Sequence, residues 1–330
     1  MGRYFRSIGR LSLIDGAGDV HSMTGGRNRW RVTLLGWSCL GLVLASSVLR
    51  AETVPDEPIK AKAPGDNKDN KQNRIERQPL MKEFEQKAPS LKVGERLDYD
   101  IRVSGVPAGK AFMEVRKKEP NGNDEKGPEV FVVALETRSN RAVSLMYDVD
   151  DIAKSSIDVK GGFSRRYYIV KKEGNAKIQE RIAFSYDIGS MEAAYDWPRP
   201  TDGQWRSKQI PLIDKCLDPL SAVYYVRGID LKGLKEDSFL LPICADKRVW
   251  NTKIKIVGRS LETVGDLKDR ECLIIEPEAE FKGLFERKGK MRIWLDSATG
   301  IVLKLTAEIP FGPAEVVLSG FKDSPLNDEK

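Results

Sequence analysis

The chain has 330 residues, of which 32% are charged and 40% hydrophobic, and its formal net charge is +6. Residues 1–51 contribute +5 of that charge through seven arginines and two aspartates, so the rest of the chain is nearly neutral and its charge does not indicate nucleic-acid binding. The only histidine, His21, lies in the same segment. Ser-His-Asp catalysis, Cys-His catalysis and His-ligated metal sites are therefore excluded from residues 52–330.

Residues 1–51 have the pattern of a secretory signal peptide. Basic residues up to Arg31 precede an apolar run, Val32–Leu49, and Ala51 supplies a small residue at the cleavage position. A leader that is not cleaved would instead be an N-terminal anchor, because about 18 apolar residues are enough to span a bilayer. We therefore predict an exported protein of the periplasm or cell envelope, whose membrane contact is made only through an uncleaved leader.

The next segment, residues 52–90, is rich in Lys, Asp, Asn, Gln and Pro. Such a composition buries too little apolar surface to offset the entropy of ordering, so we predict a disordered linker. Residues 91–323 are then expected to form one β-rich envelope domain. Residues 324–330 are predicted to be a polar tail.

Within the predicted domain, apolar and polar residues alternate with a period of two, which indicates strands. Glu95–Val103 and Lys110–Arg116 flank the turn residues Ser104–Gly109 and predict a hairpin. About a dozen short strands with turn signals between them predict a mainly β fold, as a curved antiparallel sheet or an open barrel. Further strands are expected at residues 130–137, 148–158, 163–172, 176–187, 190–196, 209–213, 238–244, 248–259, 271–281, 290–296, 301–309 and 314–321.

One helix is predicted in this strand-rich region, at residues 218–228. Asp218 is suited to cap its N-terminus, Pro219 is suited to its first turn, and Gly228 lies where a helix usually ends. The residues between them are apolar or aromatic on nearly all faces. A helix that is hydrophobic all round is buried, so we expect this one to pack against the sheet.

Several segments together resemble a known family. They are the hairpin formed by Gly94–Ile101 and Gly105–Ala111, the acidic pair Asp150–Asp151, the helix Asp218–Arg227 and the strand Ile293–Asp296. They resemble the bacterial envelope family catalogued as domain of unknown function 3108, and the resemblance covers most of the predicted domain. It implies export and a β-rich fold, but no reaction. The layout is also similar, in architecture only, to carriers and receptors that move lipoproteins between bacterial membranes.

The helix supplies the candidate ligand-binding residues. Leu220, Val223, Tyr224 and Tyr225 are suited to line an apolar pocket between helix and sheet. Arg227, at the end of the helix, would face that pocket and meet an anionic ligand group. The alternative is a filled core, in which these side chains only stabilise the fold.

Asp150 and Asp151 are predicted to have a structural role. Asp150 or Asp151 is expected to form an ion pair with Arg165 or Arg166. Together with Asp148 they lack the ligand spacing of a calcium-binding loop, so we predict no metal site. No phosphate-binding loop or paired-cysteine motif is present in the sequence, and we predict no cofactor.

Three cysteines follow the leader: Cys216, Cys244 and Cys272. An exported protein can form disulfides, and the odd number leaves at least one cysteine outside any internal pair. Cys216 precedes the helix and Cys244 ends the next apolar strand, so these two are the candidates for a disulfide. Buried free thiols are the alternative.

These features predict a non-enzymatic binding module of the cell envelope, without catalytic residues. Its ligand would be hydrophobic or amphiphilic, such as a lipid, or its partner would be an envelope protein, and nucleic acid is not expected. One alternative is a structural or assembly factor that acts through exposed sheet edges. Another is an envelope hydrolase that uses carboxylates, which would require two facing acidic side chains in a cavity.

Overall fold

The computed structural model describes residues 88–122, 127–187, 190–199, 201–234, 237–278, 291–309 and 312–327. The predicted leader and residues 52–87 of the predicted linker lie outside these ranges. Within them, every helix is too short to cross a membrane.

The described residues contain fourteen strands in one antiparallel sheet. Each strand pairs with its neighbours along the chain, except that β1 pairs with β14 and that β8 and β9 are the two edges of the sheet. The strands are β1 (Arg96–Val103), β2 (Val106–Pro120), β3 (Glu129–Ser139), β4 (Asp150–Asp158), β5 (Ser164–Glu173), β6 (Ala176–Asp187), β7 (Ser190–Pro198), β8 (Trp205–Pro211), β9 (Ser238–Ala245), β10 (Arg248–Val264), β11 (Leu267–Glu278), β12 (Arg292–Asp296), β13 (Val302–Ile309) and β14 (Gly312–Lys322).

In the described ranges, two short α-helices accompany the sheet. Helix α1 (Arg141–Ser144) follows β3. Helix α2 (Pro219–Tyr225) lies between β8 and β9 in the chain and continues into a 3₁₀ turn, Val226–Gly228. Six of the seven residues of α2 are buried. The predicted mainly β fold with one buried helix is therefore confirmed.

The first hairpin is tighter than the sequence predicted. Its turn consists of Ser104 and Gly105, whose φ angles are +50° and +79°, and β2 begins immediately afterwards at Val106. Two central residues with positive φ are typical of the two-residue turn that matches the twist of a hairpin. The predicted turn region, residues 104–109, is therefore mostly strand.

The core lies on the face of the sheet that packs against α2. Inward-facing residues alternate along the strands, as in β1, where Leu97, Tyr99 and Ile101 are buried. Helix α2 contacts both β4 and β9, which are far apart in the strand order. One short helix can touch both strands only because the sheet curves around it.

The end of the chain contributes to this core. Pro325–Asn327 forms a second 3₁₀ turn, and the side chain of Leu326 is fully buried. The predicted polar tail therefore begins with residues that pack against the domain.

Candidate functional site

The residues immediately before α2 connect two distant strands. Leu217 forms a parallel bridge with β9: its N–H donates to Pro242 O at 2.8 Å, and the N–H of Cys244 donates to Leu217 O at 2.8 Å. On the other side, the N–H of Ser164 at the start of β5 donates to Cys216 O at 3.0 Å. This segment therefore joins β5 to the edge strand β9 and fixes the point where α2 begins.

The carboxylate of Asp218 caps α2 from inside the protein. Its Oδ1 accepts from the N–H groups of Leu220 and Ser221 at 2.8 and 2.9 Å, and its Oδ2 accepts from the hydroxyls of Ser155 and Ser164 at 2.6 and 2.7 Å. Complete burial raises the pKa of Asp218, although all four hydrogen bonds act in the opposite direction. Because Ser155 belongs to β4 and Ser164 to β5, one side chain holds the helix to both strands.

Ser221 completes this arrangement rather than offering a nucleophile. Its Oγ accepts from the Asp218 N–H at 2.9 Å and lies 2.6 Å from the hydroxyl oxygen of Ser164. The reciprocal bonds between positions 218 and 221 form a capping box. Ser221 is fully buried, so a substrate has no access to its hydroxyl in this structure.

At the other end of the helix, Arg227 forms a buried ion pair. Its Nη1 and Nη2 donate to Glu95 Oε1 and Oε2 at 2.6 and 2.8 Å, and the two side chains are 4% and 2% exposed. The turn between β12 and β13 lies against this pair: a Cβ added at Gly300 would come within 2.7 Å of Arg227 Cα. The guanidinium is thus bound by a protein carboxylate, and it is not open to an anionic ligand as the sequence had suggested.

The structure places the predicted apolar lining inside the core. Leu220, Tyr224 and Tyr225 are buried, and Val223 is half-buried and packs against the same cluster. The four side chains are therefore brought together between helix and sheet. Pro219, next to the cap, is also buried, and Gly228 closes the 3₁₀ turn.

The disulfide allowed by the sequence is not formed. Cys216 and Cys244 are both free and buried, as is Cys272. The Cys216 thiol donates to Pro242 O at 3.2 Å, so its sulfur is directed to the backbone of β9. Burial raises the pKa of this thiol well above its usual range. The alternative to a disulfide, buried free thiols, is therefore what the structure contains.

The predicted pairing of Asp150 or Asp151 with Arg165 or Arg166 is wrong. The register of the β4–β5 hairpin places Asp150 beside Lys172, whose Nζ lies 2.9 Å from its carboxylate. Arg165 lies at the opposite end of the hairpin and pairs with Asp158 at 2.9 Å. Antiparallel strands bring the end of one strand beside the start of the next, so residues equally near the turn meet.

A second polar cluster lies on the inward face, on β4 and β5. Asp151, Lys171 and Glu173 are all buried, and Asp151 Oδ1 accepts from the N–H of Lys172 at 2.9 Å. Burial and, secondly, the charge of Glu173 raise the pKa of Asp151 to about 7. Burial lowers the pKa of Lys171, against the charges of both acids. The cluster therefore holds two carboxyl groups and one amine away from water.

The cluster continues towards β9. Tyr195 donates to Glu180 Oε2 at 2.6 Å, and burial raises the pKa of Asp246, in the β9–β10 turn, to about 6. One acid with a raised pKa is a requirement of a carboxylate hydrolase, whose second acid must keep a lower pKa and stay ionised. However, Asp151 and Glu173 are only 5% and 6% exposed, which leaves no path for a substrate in this structure. Among the described residues, no group of three or more acids and thiols is arranged to hold a metal ion.

Replacing Asp151 by Asn should remove part of the pH dependence of the free energy of unfolding. The folded-state pKa of Asp151, about 7, lies above the unfolded value, so its contribution is present at low pH and is lost as the pH rises towards 7. We expect D151N to be more stable than the unaltered chain by about 1 to 2 kcal/mol near pH 8, because one of two buried negative charges is removed. Urea unfolding near pH 5 should show little gain, and D148N, at an exposed position, should show little change at either pH. A D151N gain that is equal at both pH values would contradict this assignment.

A pocket of about 460 Å³ lies elsewhere, on the outward face of β1, β2 and β3. Three cationic side chains, Arg102, Lys110 and Arg138, line it together with Asp100 and the ring of Pro107. Lys110 Nζ lies 3.5 Å from Asp100 Oδ1; the Lys110 side chain is exposed and the Asp100 side chain is half-buried. Its volume is within the range of small-molecule sites, and its charge favours an anionic group.

No local sequence pattern predicted this pocket. Asp100 and Arg102 lie on the polar face of a strand whose alternation was recognised, and Lys110 follows the recognised turn. The sequence does not reveal the register between strands, which brings these residues together. Asp100 lies opposite Lys110, and Lys110 lies opposite Arg138. The available signal was the number of cations on the polar faces of the first hairpin and the following strand, which would have indicated a positively charged surface.

Comparisons with known proteins show similarity to a family of unknown function. A family model described as "Protein of unknown function (DUF3108)" matches residues 98–319. No curated protein matches the chain. Among solved structures, a beta-barrel-like protein of domain of unknown function DUF1849 from Brucella abortus is similar, with a TM-score of 0.44 and 12% sequence identity. That match covers 71% of this chain and 99% of the other chain.

Proposed function

Since the chain belongs to the DUF3108 family of proteins of unknown function, we propose a function from its own residues: it is an exported envelope protein that binds, without catalysis, an amphiphile with an anionic head group. The binding site is the outward pocket of β1–β3. The observation that carries this proposal is the set of three cations, Arg102, Lys110 and Arg138, around a pocket of about 460 Å³. The leader pattern supports export.

The charges at the pocket suit an exchangeable anion. The ion pair between Lys110 and Asp100 is exposed, and such pairs contribute at most about 1 kcal/mol. Arg138 Nε lies 3.3 Å from Asp150 Oδ1, and Arg138 Nη2 lies 3.3 Å from Glu136 Oε2. The Arg138 side chain is 61% exposed. Guanidinium groups bind phosphate and carboxylate through paired hydrogen bonds. A ligand head group can therefore compete for Lys110 and Arg138, while Glu136, which is 13% exposed, keeps its ion pair with Arg116.

The apolar part of the ligand would lie beside the turn of the first hairpin. Pro107 is part of the pocket lining, and the exposed side chain of Val106 precedes it. Non-enzymatic binding is supported by the lack of histidine in residues 52–330 and by the burial of Ser221, Asp151 and Glu173.

Lysophosphatidylglycerol, offered below its micelle concentration, tests the proposal by titration calorimetry with the full chain. We expect binding that the double variant R102A/K110A weakens by about tenfold or more, because two charge-assisted contacts are removed. The matched control K253A/K268A removes two exposed cations of β10 and β11 and should bind as the unaltered chain does. Equal binding of lysophosphatidylcholine, or unchanged affinity of R102A/K110A, would refute the proposal.

A second candidate is an assembly factor that pairs with a protein through a sheet edge. The observation that favours it is strand β8, an edge on which residues 205–209 are exposed, including the ring of Trp205. Unpaired edges can accept a strand from another protein. Crosslinking in cells that recovers one stoichiometric envelope protein at β8, with no lysolipid binding by the purified chain, would favour this candidate.

A further inference from the structure

The segment between β3 and β4 exposes two large apolar side chains next to each other. Leu145 is 86% and Met146 is 84% exposed, immediately after α1. Val106, 64% exposed, is the first residue of β2, directly after the turn of the first hairpin. Single exposed apolar residues are ordinary, but adjacent ones at the end of a protruding turn commonly mark a contact surface. We call Leu145, Met146 and Val106 the apolar tip.

Hydrogen bonds hold the apolar tip in place. The Asn140 N–H donates to Ala108 O at 2.8 Å, and Asn140 Nδ2 donates to Pro107 O at 2.7 Å, so α1 is fastened to the first hairpin. Asn140 Oδ1 accepts from the Val143 N–H at 2.9 Å and caps α1. The N–H of Met146 donates to Val143 O at 2.9 Å. The backbone that presents the two side chains is therefore ordered, and their exposure is built into the fold.

Cationic side chains surround the apolar tip. Segments 102–110 and 138–148 contain four of them, Arg102, Lys110, Arg138 and Arg141, and one acid, Asp148. Lys110 pairs with Asp100, and Arg138 pairs with Glu136 and Asp150, whereas Arg102 and Arg141 form no ion pair with another described residue, so these two arginines supply the unpaired positive charge at this end of β1–β3. Apolar side chains ringed by basic ones are typical of surfaces that enter the interface of an anionic bilayer.

From this combination we propose that the apolar tip docks the domain on the surface of an anionic lipid bilayer. Leu145, Met146 and Val106 enter the head-group region, and the four cations contact lipid phosphates. This contact is additional to any made by an uncleaved leader. It does not require the pocket to bind a ligand, although the pocket would then open towards the membrane.

Hydrogen–deuterium exchange of the full chain with vesicles tests this docking and separates it from insertion of the leader. We expect slower exchange at residues 104–110 and 141–147 with vesicles of phosphatidylglycerol and phosphatidylcholine in equal parts, and no slowing with phosphatidylcholine alone. The variant L145S/M146S should lose this protection, and its binding to the mixed vesicles should fall by about tenfold. The control V257S/L261S, which alters exposed apolar residues of β10, should keep both.

The remaining outcomes decide between occupants. Vesicle binding without protection at the apolar tip would assign the binding to the leader and overturn the proposal. A dimer of the unaltered chain that L145S/M146S abolishes would assign the apolar tip to a second copy and would also overturn it. If L145S/M146S still binds lysophosphatidylglycerol as the unaltered chain does, the docking and the pocket are separate functions.

Discussion

Replacing Arg227 by Met should lower the free energy of unfolding by about 3 to 5 kcal/mol, because it leaves the carboxylate of Glu95 buried without its partner. Both side chains are almost completely inaccessible, and two hydrogen bonds of 2.6 and 2.8 Å join them. The ring of Tyr224 lies 5.6 Å from the guanidinium and excludes water from one side. Urea unfolding of the variant provides the measurement.

The double variant E95L/R227M separates the loss of an interaction from the burial of an unpaired charge. Removing both charges should restore most of the stability, since a buried ion pair is often replaced by apolar side chains without loss. The exposed pair Lys172–Asp150 is the matched control, and K172M should change stability by less than about 1 kcal/mol. If E95L/R227M were as unstable as R227M, the effect would come from packing and not from charge.

The sequence was sufficient where one residue or one local pattern determines the structure. The alternation in Glu95–Val103 predicted a strand, and the structure buries its apolar residues Leu97, Tyr99 and Ile101. Asp218 followed by Pro219 located the start of α2. Both signals act over a few residues: a strand directs alternate side chains to one face, and a cap binds backbone groups two and three residues ahead.

The sequence was insufficient where contact depends on register between strands. The partner of Arg227 is Glu95, 132 positions away in the chain, and no local pattern connects them. The partner of Arg165 is Asp158 and not Asp150, because the turn between β4 and β5 sets which residues face each other. The charged pocket of β1–β3 depends on three strands in register.

Burial of polar groups was the other property that composition could not reveal. Asp150 and Asp151 are adjacent, yet Asp150 pairs with Lys172 at the surface and Asp151 is buried beside Glu173. Alternate residues of a strand face opposite sides of the sheet, so neighbours in sequence meet different environments. Only the identity of the inward face distinguishes the two acids, and a run of polar residues does not indicate it.

The largest effect of a single substitution at the helix start is expected for D218A, about 3 to 5 kcal/mol. The change removes the acceptor of two backbone N–H groups of α2 and of two serine hydroxyls, all of them buried. Loss of an N-cap alone amounts to about 0.5 to 2 kcal/mol, and each unsatisfied buried donor adds to it. Urea unfolding of D218A against the unaltered chain measures the total.

D218N distinguishes the capping role from the charge. Asn is a good N-cap, so its Oδ1 can still accept from Leu220 and Ser221, and we expect a loss of only about 1 to 2 kcal/mol. N140A removes the cap of the exposed helix α1, a side chain that accepts from Val143 and donates to Pro107 O, and should lose about 1 to 2 kcal/mol. A D218A loss no larger than that of N140A would mean that the serine contacts contribute nothing.

The same variant tests whether Asp218 holds the curved sheet together. Asp218 is bonded to Ser155 of β4 and Ser164 of β5. Leu217, the residue before Asp218, is hydrogen-bonded to β9. If the cap fixes this connection, D218A should speed amide exchange at Leu217 and Cys244 while leaving the β1–β2 hairpin protected, because local opening needs less free energy than global unfolding. Uniformly faster exchange in all strands would instead show that α2 and the sheet unfold as one unit, so that the helix is part of the core and not a separate clasp between its edges.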